Sequence, residues 1–380
     1  MKSHAGRAHR AATPPAKATS QRASTASAST EPQALVVTYA FDPGESGEPY
    51  SATVKFTGRR AGVSGKPGPG DTFTREQHLA NVVPGSGPIT VTWTEYGVQA
   101  GEWSVSAALE RKDPSAHART GRGSRRDESE PLASASWSWR RRDLVLGGRV
   151  SLVKTRWAVT APLAMRPAVL IGSLPLLLVI GAIFGITLLI TLLDADRIDV
   201  RGPLVITALA SLAGLVAAKV WYRVLNPGSR LLSTGWAVDG YLIVTPIAAL
   251  VLLFATAVPV GPYLDAAAPA LFTTVAFGRV GCFLTGCCSG RMTRSRWGVW
   301  SSSGTVGARR IPAQLIESAI GAVIAVVSTF LVAANVLPIA GAVFVLAMGS
   351  YLMARTALLR VRSEPRKFLW QRTRGTTAAV

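Results

Sequence analysis

The chain has 380 residues, 48% of them hydrophobic, and its 41 Lys plus Arg against 21 Asp plus Glu give a formal net charge of +20. Together these values describe a mixture of regions and exclude one uniform soluble domain. From Met165 onward there are several apolar runs of the roughly 20 residues needed to cross a hydrocarbon layer, so the chain reads as an integral membrane protein. All three cysteines fall in that part, which excludes a disulfide framework for the rest.

Residues 1–32 include Lys2, Arg7, Arg10, Lys17 and Arg22 among much Ala, Ser and Thr. Such a segment buries too little apolar surface to order itself, and a disordered basic tail is expected. No apolar core of a secretory leader precedes residue 33. Alternation of period two then marks strands at Tyr50, Ala52, Val54 and Phe56, at Ile89, Val91 and Trp93, and at Trp103, Val105, Ala107 and Leu109. With ALVVTYAF before them and SASWSW and LVLGGRVSLV after them, five to seven strands are predicted. These suit an all-β sandwich of immunoglobulin or fibronectin type over residues 33–160, with a charged loop at 111–132. No catalytic constellation is visible in this domain.

Six apolar segments follow, near 167–193, 203–222, 238–258, 264–284, 313–335 and 338–360, giving an α-helical multi-pass membrane domain over 166–360 and a basic C-terminal tail over 361–380. The connections fall on alternate sides. One side receives RRRDLVLGGRVSLVKTR, KVWYRVLNPGSR, GRMTRSRWGVWSSSGTVGARR and RTALLRVRSEPRK; the other receives DADRIDVRG, PYLDAAAP and NVLP. Alternation alone then gathers Asp239, the segment from Arg279 to Gly290, Gln314 with Glu317, and Tyr351 with Arg355 at one membrane face. Ionisable residues brought together from four helix ends mark a functional site, and the basic connections suit an anionic lipid headgroup.

The stretch GRVGCFLTGCCSG, residues 278–290, holds an arginine and every cysteine. Metal binding wants a fourth ligand, and the histidines (His4, His9, His78 and His117) all lie outside the membrane region, so no metal and no cofactor are expected. The adjacent Cys287 and Cys288 lack the Cys-x-x-Cys spacing of a redox pair. Gly278, Gly281, Gly286 and Gly290 suit a packing seam, with cysteine as a small buried hydrophobe. Arg279 does not, because an arginine at this depth must snorkel or meet an anion. Asp239 as an interfacial cap, Glu317 in the first turns of a helix and Arg355 as a snorkelling side chain each keep a structural reading beside the functional one.

These residues resemble the prolipoprotein diacylglyceryl transferase family. Gly278, Arg279, Phe283, Gly286 and Gly290 fall in place on its signature, while Cys282 and Cys287 stand where the signature has asparagine and glutamate. WGVW at 297–300 is similar to the family's Trp-Gly-Val segment, and IPAQLIES keeps Pro312, Gln314, Leu315 and Glu317 of its His-Pro-x-Gln-Leu-Tyr-Glu stretch. Tyr351 and Arg355 repeat its Tyr-x-x-x-Arg. Asp239 and Ile311 occupy the positions of two family histidines.

The resemblance implies transfer of diacylglyceryl from phosphatidylglycerol to the lipobox cysteine of prolipoproteins. Arg279 and Arg355 would hold the phosphate, Asp239 and Glu317 would supply the base, and Gln314 and Tyr351 would bind the lipid. Phosphatidylglycerol, prolipoprotein signal peptides and membrane lipids are the expected partners, and nucleic acid is not. The alternative is a catalytically silent descendant that binds lipid or lipoprotein and acts as a scaffold through its β domain. The implied location is a bacterial plasma membrane with the site extracytoplasmic, whereas the positive-inside rule would place the same basic face in the cytoplasm.

Overall fold

The structure is a computed structural model and describes residues 32–363, apart from 64, 69, 113–123, 127–129, 142, 151, 164–165 and 227–236. The expected tail of residues 1–32 lies outside the described residues but for Pro32, as does most of the C-terminal tail. In the first half, β1 (Gln33–Phe41), β2 (Tyr50–Arg60), β3 (Thr72–Val82), β4 (Ile89–Val98) and β5 (Glu102–Lys112) are long strands. After them come β6 (Ser124–Arg126), β7 (Glu130–Ser138), β8 (Asp143–Val150), β9 (Leu152–Lys154) and β10 (Arg156–Trp157). The stretch that reads as a charged loop therefore contains the end of β5, all of β6 and the start of β7. Among its described residues, Arg111 falls opposite Arg125 and Lys112 opposite Ser124 in the β5–β6 pairing.

Two sheets face each other. One runs β3-β2-β5-β7-β8, with β6 and β9 also pairing with β5, and the other contains β10-β1-β4. Alternation sends Leu35, Val37, Tyr39 and Phe41 of β1 inward against Val54, Phe56, Trp103, Val105 and Leu109 of the facing sheet. Trp103 is fully buried and donates its indole N–H to the Gln99 carbonyl at 3.0 Å, so this large ring carries no unsatisfied polar atom.

The second half holds α1 (Ser173–Ala195), α2 (Arg201–Leu225), α3 (Val238–Phe254), α4 (Val260–Thr285), α5 (Ala313–Ala333) and α6 (Ala342–Leu358). Five of them, all but α3, are long and apolar enough to cross a membrane, with the last span reaching Val361. Many of their outward residues are large and apolar, such as Val205, Val326, Phe330 and Met353, as a lipid-facing surface requires. Small residues let α1 and α4 close up: a Cβ on Gly185 would lie 2.5 Å from the Ala270 carbonyl oxygen, and one on Gly281 would lie 2.8 Å from the Leu174 Cα.

Asp265, which reads as part of a loop, lies inside α4. Its carboxylate accepts the backbone N–H groups of Gly341 at 2.6 Å and Phe344 at 3.1 Å. A carboxylate at the positive end of α6 offsets orphan donors there and ties α4 to α6 at the face opposite the gathered charges.

The connection from α4 to α5 is a hairpin of β11 (Val299–Ser303) and β12 (Val306–Arg310). β12 pairs with β4, Val306 opposite Val91 and Gly307 opposite Thr90, and so extends the β10-β1-β4 sheet. Ala308 is fully buried in the sandwich core, and Met292 and Val306 pack against that core. A segment of the membrane half thus completes the N-terminal fold.

Candidate functional site

The site is built where α4 ends and α5 begins. Gly286 caps α4 in the left-handed conformation, φ 77°, and its N–H reaches the Cys282 and Phe283 carbonyls. A Cβ there would meet the Ser302 carbonyl oxygen at 2.5 Å, so the glycine is required both by its dihedral and by the approach of β11. Cys288 also has positive φ, 54°, which is uncommon for a residue with a side chain. Gly290 sits against Ile311, where an added Cβ would come within 2.2 Å of the carbonyl oxygen, and Gly278 faces Leu178 of α1.

Glu317 lies one turn into α5 and is 1% exposed. Its Oε1 meets Arg279 Nη2 at 2.9 Å and Arg355 Nη1 at 2.8 Å, and it accepts the Tyr351 hydroxyl at 2.7 Å. Arg362 donates to Oε2 of the same carboxylate. Arg355 turns its Nη2 to Asp239 Oδ1 at 3.0 Å; the Asp239 side chain is 45% exposed. Among the described contacts, three guanidiniums converge on one buried carboxylate, with the partly exposed Asp239 beside Arg355. Such a cluster favours an anion, because charges fixed in a low-dielectric site interact far more strongly than charges in water.

Of the remaining residues singled out from the sequence, Gln314 is buried and donates its amide to the Cys287 carbonyl at 2.7 Å, which fixes the loop after α4. Cys282 is buried in the last turn of α4, and Cys287 and Cys288 are half-buried; all three are free thiols. Phe283 is half-buried. Cys288 is held well below the usual thiol range by hydrogen bonds from Cys282 and Cys287; burial opposes this, and Arg279 and Arg362 favour it. Cys287 is pushed up by hydrogen bonding to the other two thiols and by burial.

Arg362 was not legible as a site residue, because its surroundings read as a basic tail. A signal existed: Tyr351, Arg355 and Arg362 are spaced by four and seven, which places them on one face of a continuing helix. The backbone holds Arg362 in place, since Arg291 N–H donates to the Val361 carbonyl at 2.8 Å and Ser363 N–H to the Ser289 carbonyl at 3.1 Å. The end of α6 is thereby strapped across the loop that carries the cysteines.

Fold and site together define a multi-pass membrane protein with a buried arginine–carboxylate cluster at one end of its helix bundle. The family model for prolipoprotein diacylglyceryl transferase matches residues 164–379, and the chain belongs to this family. It is accordingly a bacterial multi-pass membrane protein of a family that transfers diacylglyceryl to lipoproteins. The β region lies outside the match. No curated protein matches the chain.

Proposed function

We propose that this protein transfers diacylglyceryl from phosphatidylglycerol to the thiol of the lipobox cysteine in prolipoprotein signal peptides. The observation that carries the reading is the convergence of Arg279, Arg355 and Arg362 on Glu317, a net positive centre at the headgroup level of the bundle. In the reaction the thiol proton passes to a base and a sulfur–C3 bond forms. The bond from C3 to the phosphate oxygen breaks, and its electron pair leaves on glycerol-1-phosphate. The departing phosphate needs fixed donors for its growing charge, and a guanidinium supplies two in one plane.

The two carboxylates suit different roles. Glu317 is saturated by three guanidiniums and a tyrosine hydroxyl, and a carboxylate so stabilised is a poor proton acceptor; it aligns the arginines instead. Asp239 pairs with Arg355 and keeps an exposed edge, so the incoming thiol has access to it. Gln314 and Tyr351 act as positioning residues, one on the Cys287 carbonyl and one on Glu317.

The test is direct. Purified protein in detergent is incubated with phosphatidylglycerol and a lipobox peptide, and the peptide mass is read. A diacylglyceryl increment is expected. Its repeated absence beside an active family enzyme would favour a lipid- or lipoprotein-binding scaffold, the reading suggested by aspartate at the position of a family histidine.

A further inference from the structure

Exposed tryptophan and arginine form a rim on the β7–β8 turn and on the segment between α4 and β11. Trp139, 44% exposed, sits in the turn between β7 and β8 beside the exposed Arg140 and Arg141. Trp297, 75% exposed, lies between α4 and β11 with the Arg296 guanidinium 5.2 Å over its ring. The acidic residue nearest to the β7–β8 turn in sequence is Asp143, at the start of β8.

The position of this rim is fixed by packing. Trp137 stacks on Trp300 of β11 with ring centroids 4.9 Å apart, and Trp300 donates its indole N–H to the Pro88 carbonyl at 2.9 Å. The β7–β8 turn is therefore held against the hairpin that joins α4 to α5.

We propose that this rim is a lipid-surface contact, by which the β7–β8 turn and the Trp297 segment rest on anionic headgroups beside the bundle. Tryptophan settles where one side of the ring is apolar and the other wet, and arginine is drawn to an anionic leaflet. The rim offers both, next to helices that place a headgroup layer there. A soluble protein partner would match the aromatic rings but gives no reason for their place at the bundle end. The inference does not depend on transfer activity.

Hydrogen exchange on the full chain in lipid nanodiscs tests it. In discs containing phosphatidylserine, an anionic lipid that is not the proposed donor, exchange at 137–141 and 293–298 is expected to be slower than in purely phosphatidylcholine discs by up to about thirty-fold, the scale set by two arginines at about 1 kcal/mol each on an anionic surface. Strand β2 should exchange alike in both, which shows the sandwich itself unchanged. The combined Trp139→Ser, Arg140→Gln, Arg141→Gln variant should lose the lipid-dependent slowing at 137–141. Equal exchange of the wild-type rim in the two bilayers would overturn the proposal and leave the surface to a protein partner.

Discussion

Arg279 and Arg355 approach Glu317 as buried guanidiniums, so lysine at either position would keep the charge and lose the planar fork. Arg279→Lys and Arg355→Lys should each lower transfer by several-fold to a hundred-fold, about 1–3 kcal/mol for a charge-assisted bond, with Ala worse. Equal rates for wild type and both lysine variants in the peptide-mass assay would show that a positive charge suffices and the planar fork does not hold the phosphate. The thiols give a second residue-scale expectation. A group whose pKa is lowered stays ionised as pH falls, so Cys288 should alkylate with iodoacetamide at about pH 6, well below the usual thiol pKa of about 8.5. Cys287, shifted upward, should react only at much higher pH. Mass mapping of the labelled site distinguishes the two, and preferential labelling of Cys287 at low pH would contradict the hydrogen-bonding order of the cluster. Asp239, Arg279, Gln314, Glu317, Tyr351 and Arg355 were legible because alternation of helices assigns ends to faces. Their pairing was not, since nothing in the sequence says that one carboxylate takes three arginines.

Among the elements, β2, β4 and β5 were readable from period-two alternation, and the five longer helices from apolar length. The β11–β12 hairpin was not. Its residues VWSSSGTVGARR are polar, small and basic, and their partner strand β4 lies far back in the sequence, so no local pattern announces the pairing. α4 also begins at Val260, before the apolar segment read near 264–284, and takes in residues of PYLDAAAP that read as a connection. The hairpin joint has a specific weak point. A Cβ on Gly307 would lie 2.4 Å from both Thr90 Oγ1 and the Trp300 ring, so Gly307→Val must push β12 from β4 or move the indole. Overpacking of this kind costs about 1–3 kcal/mol, and a lowered thermal midpoint is expected. Because β11 also rests on Gly286, transfer should fall with it. A stability and activity unchanged from wild type would mean that the strand addition contributes nothing.

At the scale of the whole molecule, shared strands decide what can face what. The positive-inside rule weighs loop arginines as free charges, yet many at this face are engaged. Arg279, Arg355 and Arg362 hold Glu317, Arg310 donates to the Gly290 carbonyl, and Arg291 donates to the Arg362 carbonyl. A basic face that has such reasons to be basic is weaker testimony about topology, so the extracytoplasmic placement implied by the family is the expectation. In a variant whose three native cysteines are replaced, an impermeant thiol reagent added to intact cells should label Ser295→Cys, an exposed position beside the site. Labelling only after lysis would put the face in the cytoplasm. A second probe, Ser46→Cys in the exposed β1–β2 connection, carries the stronger inference. With β12 in the sheet of β1 and β4, the β region and the site occupy one side of the membrane whichever side that is. The two probes must therefore agree, and opposite labelling would break the architecture rather than its orientation.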